Sequence, residues 1–105
     1  MDIIAQRELA RDGRTYQVRI SAPHQEAAGE YRCAWELTDD AGGVVLSLAV
    51  YGVDSVQALV TAAILIGDRL RAEHDDFTWL GNPGTGFLRH DFGSGDAPVI
   101  VWDLA

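Results

Sequence analysis

The sequence has no lysine and only one cysteine, one methionine and three prolines. All eight basic residues are arginines, and together with the many alanines this usage is typical of a bacterium with a GC-rich genome. The single cysteine, Cys33, cannot form an internal disulfide, which agrees with a reducing compartment.

Long apolar runs are also missing. No run approaches the roughly 20 residues of a membrane-spanning helix, and the opening MDIIAQRELA lacks a basic region leading into an apolar one. We therefore expect a cytoplasmic protein. The length is ordinary for one domain, and we predict that residues 1–105 form a single α+β domain.

Positive charge is scarce relative to negative charge. Sixteen acidic residues face eight basic ones, so the net charge is −8 at neutral pH. Such a charge repels nucleic acid and anionic membranes, and we expect neither as a partner. It would speed encounter with a basic protein, although it could also serve only to keep the surface solvated.

The first half of the sequence consists of strand patterns. TYQVRI and YRCAWELT alternate between apolar and polar residues, IIAQREL alternates less cleanly, and VVLSLAVY is apolar on both faces. Short links separate these runs, including Asp12-Gly13, which suits a two-residue hairpin. The pattern predicts a four-stranded antiparallel meander in which the fourth strand lies centrally or beneath a helix.

A long helix is predicted from about Ser55 to His74, packed on one face of the sheet, with short strands following in the C-terminal part. The residues assigned to its core-facing stripe are Val56, Leu59, Val60, Ala63, Ile64, Ile66 and Leu70. The opposite side carries Ala58, Ala62 and Leu65. Either the C-terminal segment covers Leu65, or this side belongs to a contact between subunits.

The segment YGVDSVQAL raises the question whether Ser55 carries a phosphopantetheine arm, as a serine does in carrier proteins. Carrier domains are helical bundles, whereas the residues before Ser55 are rich in β-formers. The segment is better explained as a capping box, in which Asp54 accepts a hydrogen bond from the amide of Gln57 and the Gln57 side chain reaches back. We therefore predict a structural N-cap and no cofactor.

The remaining motifs favour structural roles. GNPGTG lacks the following helix and the lysine of a phosphate-binding loop. His74-Asp75-Asp76 is the only local cluster that could coordinate a metal, and we predict no metal site and no catalytic residues. Cys33 falls on the core face of its strand. Trp79 and Phe87 are core residues in the simplest interpretation, but they could instead line a partner-binding patch.

The GVDSVQAL helix start, the segment TWLG with PGTGF, and the early YRCAWEL resemble a family of small bacterial domains of unknown function. The resemblance covers roughly residues 3–87, and the tail after it is longer than the family leads us to expect. Because no activity is assigned to that family, the resemblance implies no catalytic residues.

Three functions fit these observations. The first is a small acidic, non-catalytic protein-interaction module, for example an immunity protein that neutralises a basic toxin. The second is a structural homodimer joined through the Ala58, Ala62 and Leu65 side of the helix or through a sheet edge. The third is an enzyme or ligand carrier with a pocket between helix and tail. Leu65, Trp79 and Phe87 are the candidate partner-surface residues.

Overall fold

The computed structural model of the protein describes residues 2–93, 95 and 97–104. The described elements, in chain order, are β1 (Ile3–Arg11), β2 (Arg14–Ser21), β3 (His24–Gln25), β4 (Tyr31–Thr38), β5 (Val44–Gly52), α1 (Ser55–Glu73), β6 (Thr78–Trp79), β7 (Asn82–Pro83), β8 (Leu88–Asp91) and β9 (Val99–Trp102). The α+β class predicted from the sequence is confirmed.

The main sheet is built on an antiparallel meander of four long strands in the order β5-β4-β2-β1. The short β3 pairs with the start of β4, and β6 joins β1 at Ala10. The predicted turn between β1 and β2 is present, because Asp12 and Gly13 both adopt positive φ angles, 52° and 74°, and Arg11 pairs with Arg14. The meander predicted from alternation is therefore confirmed.

One face of this sheet carries the core. The residues that point to it from β2 and β4 are Val18, Ile20, Cys33, Trp35 and Leu37. Helix α1 covers the β4 and β5 half of this face. Phe77 and Phe87, which follow the helix, complete the same cluster beside Leu9 of β1. The fold thus has two layers, with a single apolar core between them.

The orientation of α1 differs from the predicted one. The buried positions are Ala58, Ala62, Ile66, Gly67 and Leu70, whereas Val56 and Val60 of the predicted stripe are exposed. Small alanine side chains allow the helix to lie close to the sheet, so Ala58 and Ala62, which sequence analysis placed outside, are buried together with Ile66 and Leu70 of the predicted stripe. The Ala58 and Ala62 side cannot form a subunit contact, because both residues are fully buried within this chain.

The position of β5 matches one of the two predicted alternatives. This apolar strand lies beneath α1 and not at the centre of the sheet. In the part of the chain that the structure describes, β5 pairs with β4 alone, so it forms an edge of the sheet. Its apolar composition is therefore not accounted for by burial between two neighbouring strands.

The C-terminal strands β8 and β9 form a separate two-stranded antiparallel sheet, the C-terminal hairpin, which packs beside α1. Close approach requires a glycine in the helix, because a Cβ added at Gly67 would overlap the carbonyl oxygen of Leu88. The backbone that Gly67 approaches therefore belongs to the C-terminal hairpin and not to the main sheet.

Candidate functional site

A groove lies between the open edge of the main sheet and the C-terminal half of α1. Its volume is about 320 Å³, and its lining consists of Trp35, Leu48, Ala49, Val50, Leu65, Asp68 and Arg69. Most of these side chains are apolar, and the two charged ones have opposite signs. The shape and lining suit an apolar side chain better than a charged ligand.

Leu65 and Leu48 form the exposed apolar walls of this groove. Leu65 is 40% exposed and Leu48 is 37% exposed. Leu48 extends from β5, and Leu65 lies on the side of α1 that faces that strand. Sequence analysis left two alternatives for Leu65, coverage by the C-terminal segment or a contact between subunits. The lining of the groove includes no residue beyond position 69, so the C-terminal segment does not cover Leu65 on this side.

Trp35 lies beneath the groove on β4 and is fully buried. Its indole nitrogen Nε1 has no hydrogen-bond partner among the residues that the structure describes. Buried donors without a partner are uncommon in folded proteins. One buried polar group without a described partner, the indole N–H of Trp35, therefore lies beneath a groove whose lining is mostly apolar.

The edge strand β5 beside the groove carries no charge. Its sequence VVLSLAVYG contains neither a charged residue nor a proline. Among its residues Val44, Val45, Leu48 and Tyr51 are exposed. Natural sheets usually protect such an edge with charges, proline or bulges, and β5 has only a register irregularity opposite Leu37 and Thr38, near its first residue.

The opposite side of the meander follows the usual rule. β1 is also unpaired on its outer side between Ile3 and Leu9, since its only described partner there is β6 at Ala10. It carries Arg7, Glu8 and Arg11. The two edges therefore differ in charge, since β1 carries charged residues and β5 carries none.

Asp68 joins the groove to the C-terminal hairpin. One of its carboxylate oxygens accepts a hydrogen bond from the backbone N–H of His90 at 2.7 Å, and the other lies 2.6 Å from His90 Nδ1. Both contacts attach β8 to α1. This carboxylate–imidazole pair is partly exposed, and its two contacts together give it a structural role.

The predicted N-cap has the expected geometry. The backbone N–H of Gln57 donates to the Asp54 carboxylate at 2.8 Å, and the Gln57 side-chain oxygen accepts from the N–H of Val53 at 2.6 Å. The helix begins at Ser55. The side chains of Asp54 and Gln57 thus form the hydrogen bonds that begin the helix after the extended backbone of β5.

Trp79 and Phe87 are held together by an arginine. The guanidinium carbon of Arg7 lies 3.9 Å from the centroid of the Trp79 ring and 4.7 Å from that of Phe87. Phe87 is only 8% exposed and belongs to the core, so it cannot form part of a partner surface. Trp79 is half-buried beneath the same arginine. The glycine-rich segment therefore closes the core through cation–π contacts.

A buried carboxylate near the C-terminus was missed by sequence analysis. Asp103 accepts hydrogen bonds from the backbone and hydroxyl of Thr85 at 3.0 and 2.8 Å, and from Arg71 and Arg89 at 3.1 Å each. Burial opposes ionisation, but the Thr85 bonds and Arg71 outweigh it, so the pKa of Asp103 lies below its usual value. No sequence signal links Thr85 to an aspartate 18 residues later.

Other candidate groups also have structural surroundings. The Cys33 thiol is buried, donates to the carbonyl of Ser21 at 3.4 Å, and has its pKa raised by burial. Asp76 of the possible metal cluster pairs with Arg11 at 2.7 Å. Within residues 2–93, 95 and 97–104, no group of three or more His, Cys, Asp or Glu side chains is placed to hold a metal ion.

The architecture is that of a two-layer α+β domain. The family model described as a domain of unknown function, DUF6968, matches residues 5–89. The chain belongs to this family. No curated protein and no solved structure matches it. The match ends within β8, so Asp103 lies outside the matched residues whereas its partners Arg71, Thr85 and Arg89 lie inside them.

The helix α1 can be compared with the length and apolarity that a membrane-spanning helix requires. Over the described ranges of the chain, no helix is both long enough and apolar enough to span a bilayer.

Proposed function

We propose that this protein is a non-catalytic protein-interaction module that binds a partner through the edge of β5 and the adjacent groove. The observation that carries the proposal is an uncharged nine-residue edge strand beside an apolar groove of about 320 Å³. An exposed edge of this kind is a template for pairing with another chain.

The recognition mode that fits this surface is strand addition. A partner segment in extended conformation forms main-chain hydrogen bonds with β5, while one of its apolar side chains enters the groove between Leu48 and Leu65. In this mode the main chain supplies affinity and the pockets for alternate side chains supply specificity. The surface needs no cofactor.

The proposal of a non-catalytic role is supported by the roles of the reactive side chains. Asp54 caps a helix, Asp103 is enclosed by Thr85 and two arginines, and burial keeps Cys33 in the thiol form. A nucleophilic cysteine needs the opposite, a lowered pKa. A buried, reduced cysteine is also what the cytoplasm would maintain, and we propose that compartment.

A second candidate is an immunity-type protein that neutralises a basic toxin. The observation that favours it is the net charge of −8 on a 105-residue chain. A field of this sign accelerates association with a cationic partner and makes the association sensitive to salt. This candidate places the contact on the acidic surface rather than on the uncharged edge of β5.

A pull-down from the native host separates the two candidates. Tagged wild type, Leu48→Lys and the matched control Val56→Lys are compared at increasing salt. The control places lysine on α1, away from the groove, at a valine that is 68% exposed. If binding uses the β5 edge, Leu48→Lys loses the partner, the control retains it, and salt has little effect.

A basic partner that both variants retain and that salt releases would support the toxin-neutralising candidate instead. Retention by both variants with no salt dependence would contradict both proposals. Folding of each variant is checked by circular dichroism, so that loss of binding is not confused with loss of structure.

A further inference from the structure

We infer that the partner of the β5 edge is a second copy of this chain, and that two protomers join through antiparallel β5–β5 pairing. This inference rests on the proposed function, since it names the occupant of the same surface.

The charge distribution favours an uncharged occupant. Asp54 is the single charged residue between positions 41 and 67, although 23% of the chain is charged. These positions include all of β5 and about two thirds of α1, and Asp54 itself is occupied in the N-cap. A cationic partner would find no acidic residue on β5.

Two copies can meet here despite a charge of −8 on each. The groove contains one acidic and one basic residue, Asp68 and Arg69, so its charges balance. An edge without charge, beside a groove whose charges cancel, places no like charges face to face. Electrostatic repulsion between the two chains is therefore weakest along this edge.

Side-chain alternation makes the surface self-complementary. Leu46, Leu48 and Val50 of β5 pair with Leu37, Trp35 and Cys33 of β4, and so they point to the face that α1 covers. In an antiparallel pair related by a twofold axis, both protomers present the same face on the same side. The leucines and valine of one β5 then lie beside the groove of its partner.

The resulting assembly has a continuous sheet with two helices on one face. The long strands run in the order β1-β2-β4-β5 in one protomer and continue in reverse through its partner. Each protomer contributes the same surface, so the contact is isologous and closed. Leu65, which is 40% exposed in the single chain and lines the groove, lies beside the new junction.

The test is sedimentation equilibrium from low to high micromolar concentration. We expect wild type to form a dimer. Leu48→Lys should raise the dissociation constant of that dimer by on the order of tenfold or more, and Val56→Lys should leave it as in wild type. Val45→Lys, at an exposed position of β5 that does not line the groove, gives a second variant. It should weaken the dimer as well.

Hydrogen exchange at two concentrations locates the contact. Amides of β5 should exchange more slowly at high concentration, whereas those of β1 should not change. A wild type that stays monomeric throughout, or a dimer with unchanged β5 exchange, would overturn the second-copy inference. In the first case, the β5-edge proposal would still be decided separately by whether Leu48→Lys loses a captured partner.

Discussion

At the scale of single residues, two aspartates with different surroundings fix the ends of the helical layer. Asp54 is exposed and binds one backbone amide at the start of α1. Asp103 is almost fully buried and anchors the C-terminal residues to Thr85, Arg71 and Arg89. Their substitution should therefore affect stability by different amounts and with different dependence on pH.

Replacing Asp54 by alanine should lower the free energy of unfolding by about 1 kcal/mol, because one orphan amide of the first helical turn loses its acceptor. Urea denaturation measures the change. Ser55→Ala is the control and should have a smaller effect, since Ser55 follows the cap. An unchanged midpoint in Asp54→Ala would show that this hydrogen bond does not stabilise the corner.

Replacing Asp103 by asparagine should destabilise the protein by about 2–3 kcal/mol near neutral pH, because it removes the charge that two arginines share. The folded-state pKa of Asp103 is lowered. Its stabilisation is therefore present above the unfolded pKa of about 3.9 and lost as the pH falls through the lower folded value.

Denaturation of wild type and Asp103→Asn from pH 7 to pH 2 tests this linkage. The difference between the two proteins should shrink below about pH 4 as wild type loses its carboxylate. A difference that stays constant over the whole range would show that packing, and not charge, explains the effect.

At the scale of elements, the orientation of α1 shows where sequence reasoning succeeded and where it failed. The bounds of the helix follow from the cap at Asp54 and were predicted to within one residue of Glu73. The buried side was predicted correctly at Ile66 and Leu70 but not in the first half of the helix, because a helix with no charge before Asp68 has no polar face to contrast with an apolar one. Valine outranks alanine in apolarity, but Ala58 and Ala62 permit the closer approach.

The strands were easier to predict from the sequence than the buried side of the helix, because side chains in a strand alternate between two faces with a period of two. Cys33 was assigned to the core face of its strand, and it is buried together with Trp35 and Leu37, which share its face by alternation. The edge position of β5 could not be derived, since an apolar strand with two apolar faces is equally consistent with a central place. The contacts of Asp103 depend on tertiary structure and leave no local signal.

Replacing Gly67 by alanine should lower stability, although the same change in an exposed helix interior adds about 1 kcal/mol of stability. The new methyl group would overlap the Leu88 carbonyl, which is backbone and cannot rotate away. Thermal unfolding measures the sign of the change. Val60→Ala, at an exposed site in the same helix, is the control and should not destabilise the protein.

At the scale of the whole molecule, charge is partitioned between surfaces. Seven of the eight arginines make ion pairs or lie over aromatic rings, in the described part of the chain. The segment from residue 41 to residue 67 is almost free of charge. An acidic protein thus keeps one neutral surface, which is where association is least opposed.

If that surface joins two protomers, the melting temperature should rise with protein concentration, because dimerisation stabilises the folded state by mass action. Scanning calorimetry over a hundredfold range of concentration measures the shift. Leu48→Lys should show a smaller rise in melting temperature over the same range, because its dimer is weaker. A wild type with the same independence would argue against a dimer.

The charges on β1 have a consequence for how far such assembly can proceed. Once the two β5 strands are joined, the long open edges of the composite sheet are those of the two copies of β1, which carry Arg7, Glu8 and Arg11 and have only the two-residue strands β6 and β7 beyond one end. Charged strands resist further pairing. Growth would therefore stop at two molecules, and a filament should form only if those charges were removed.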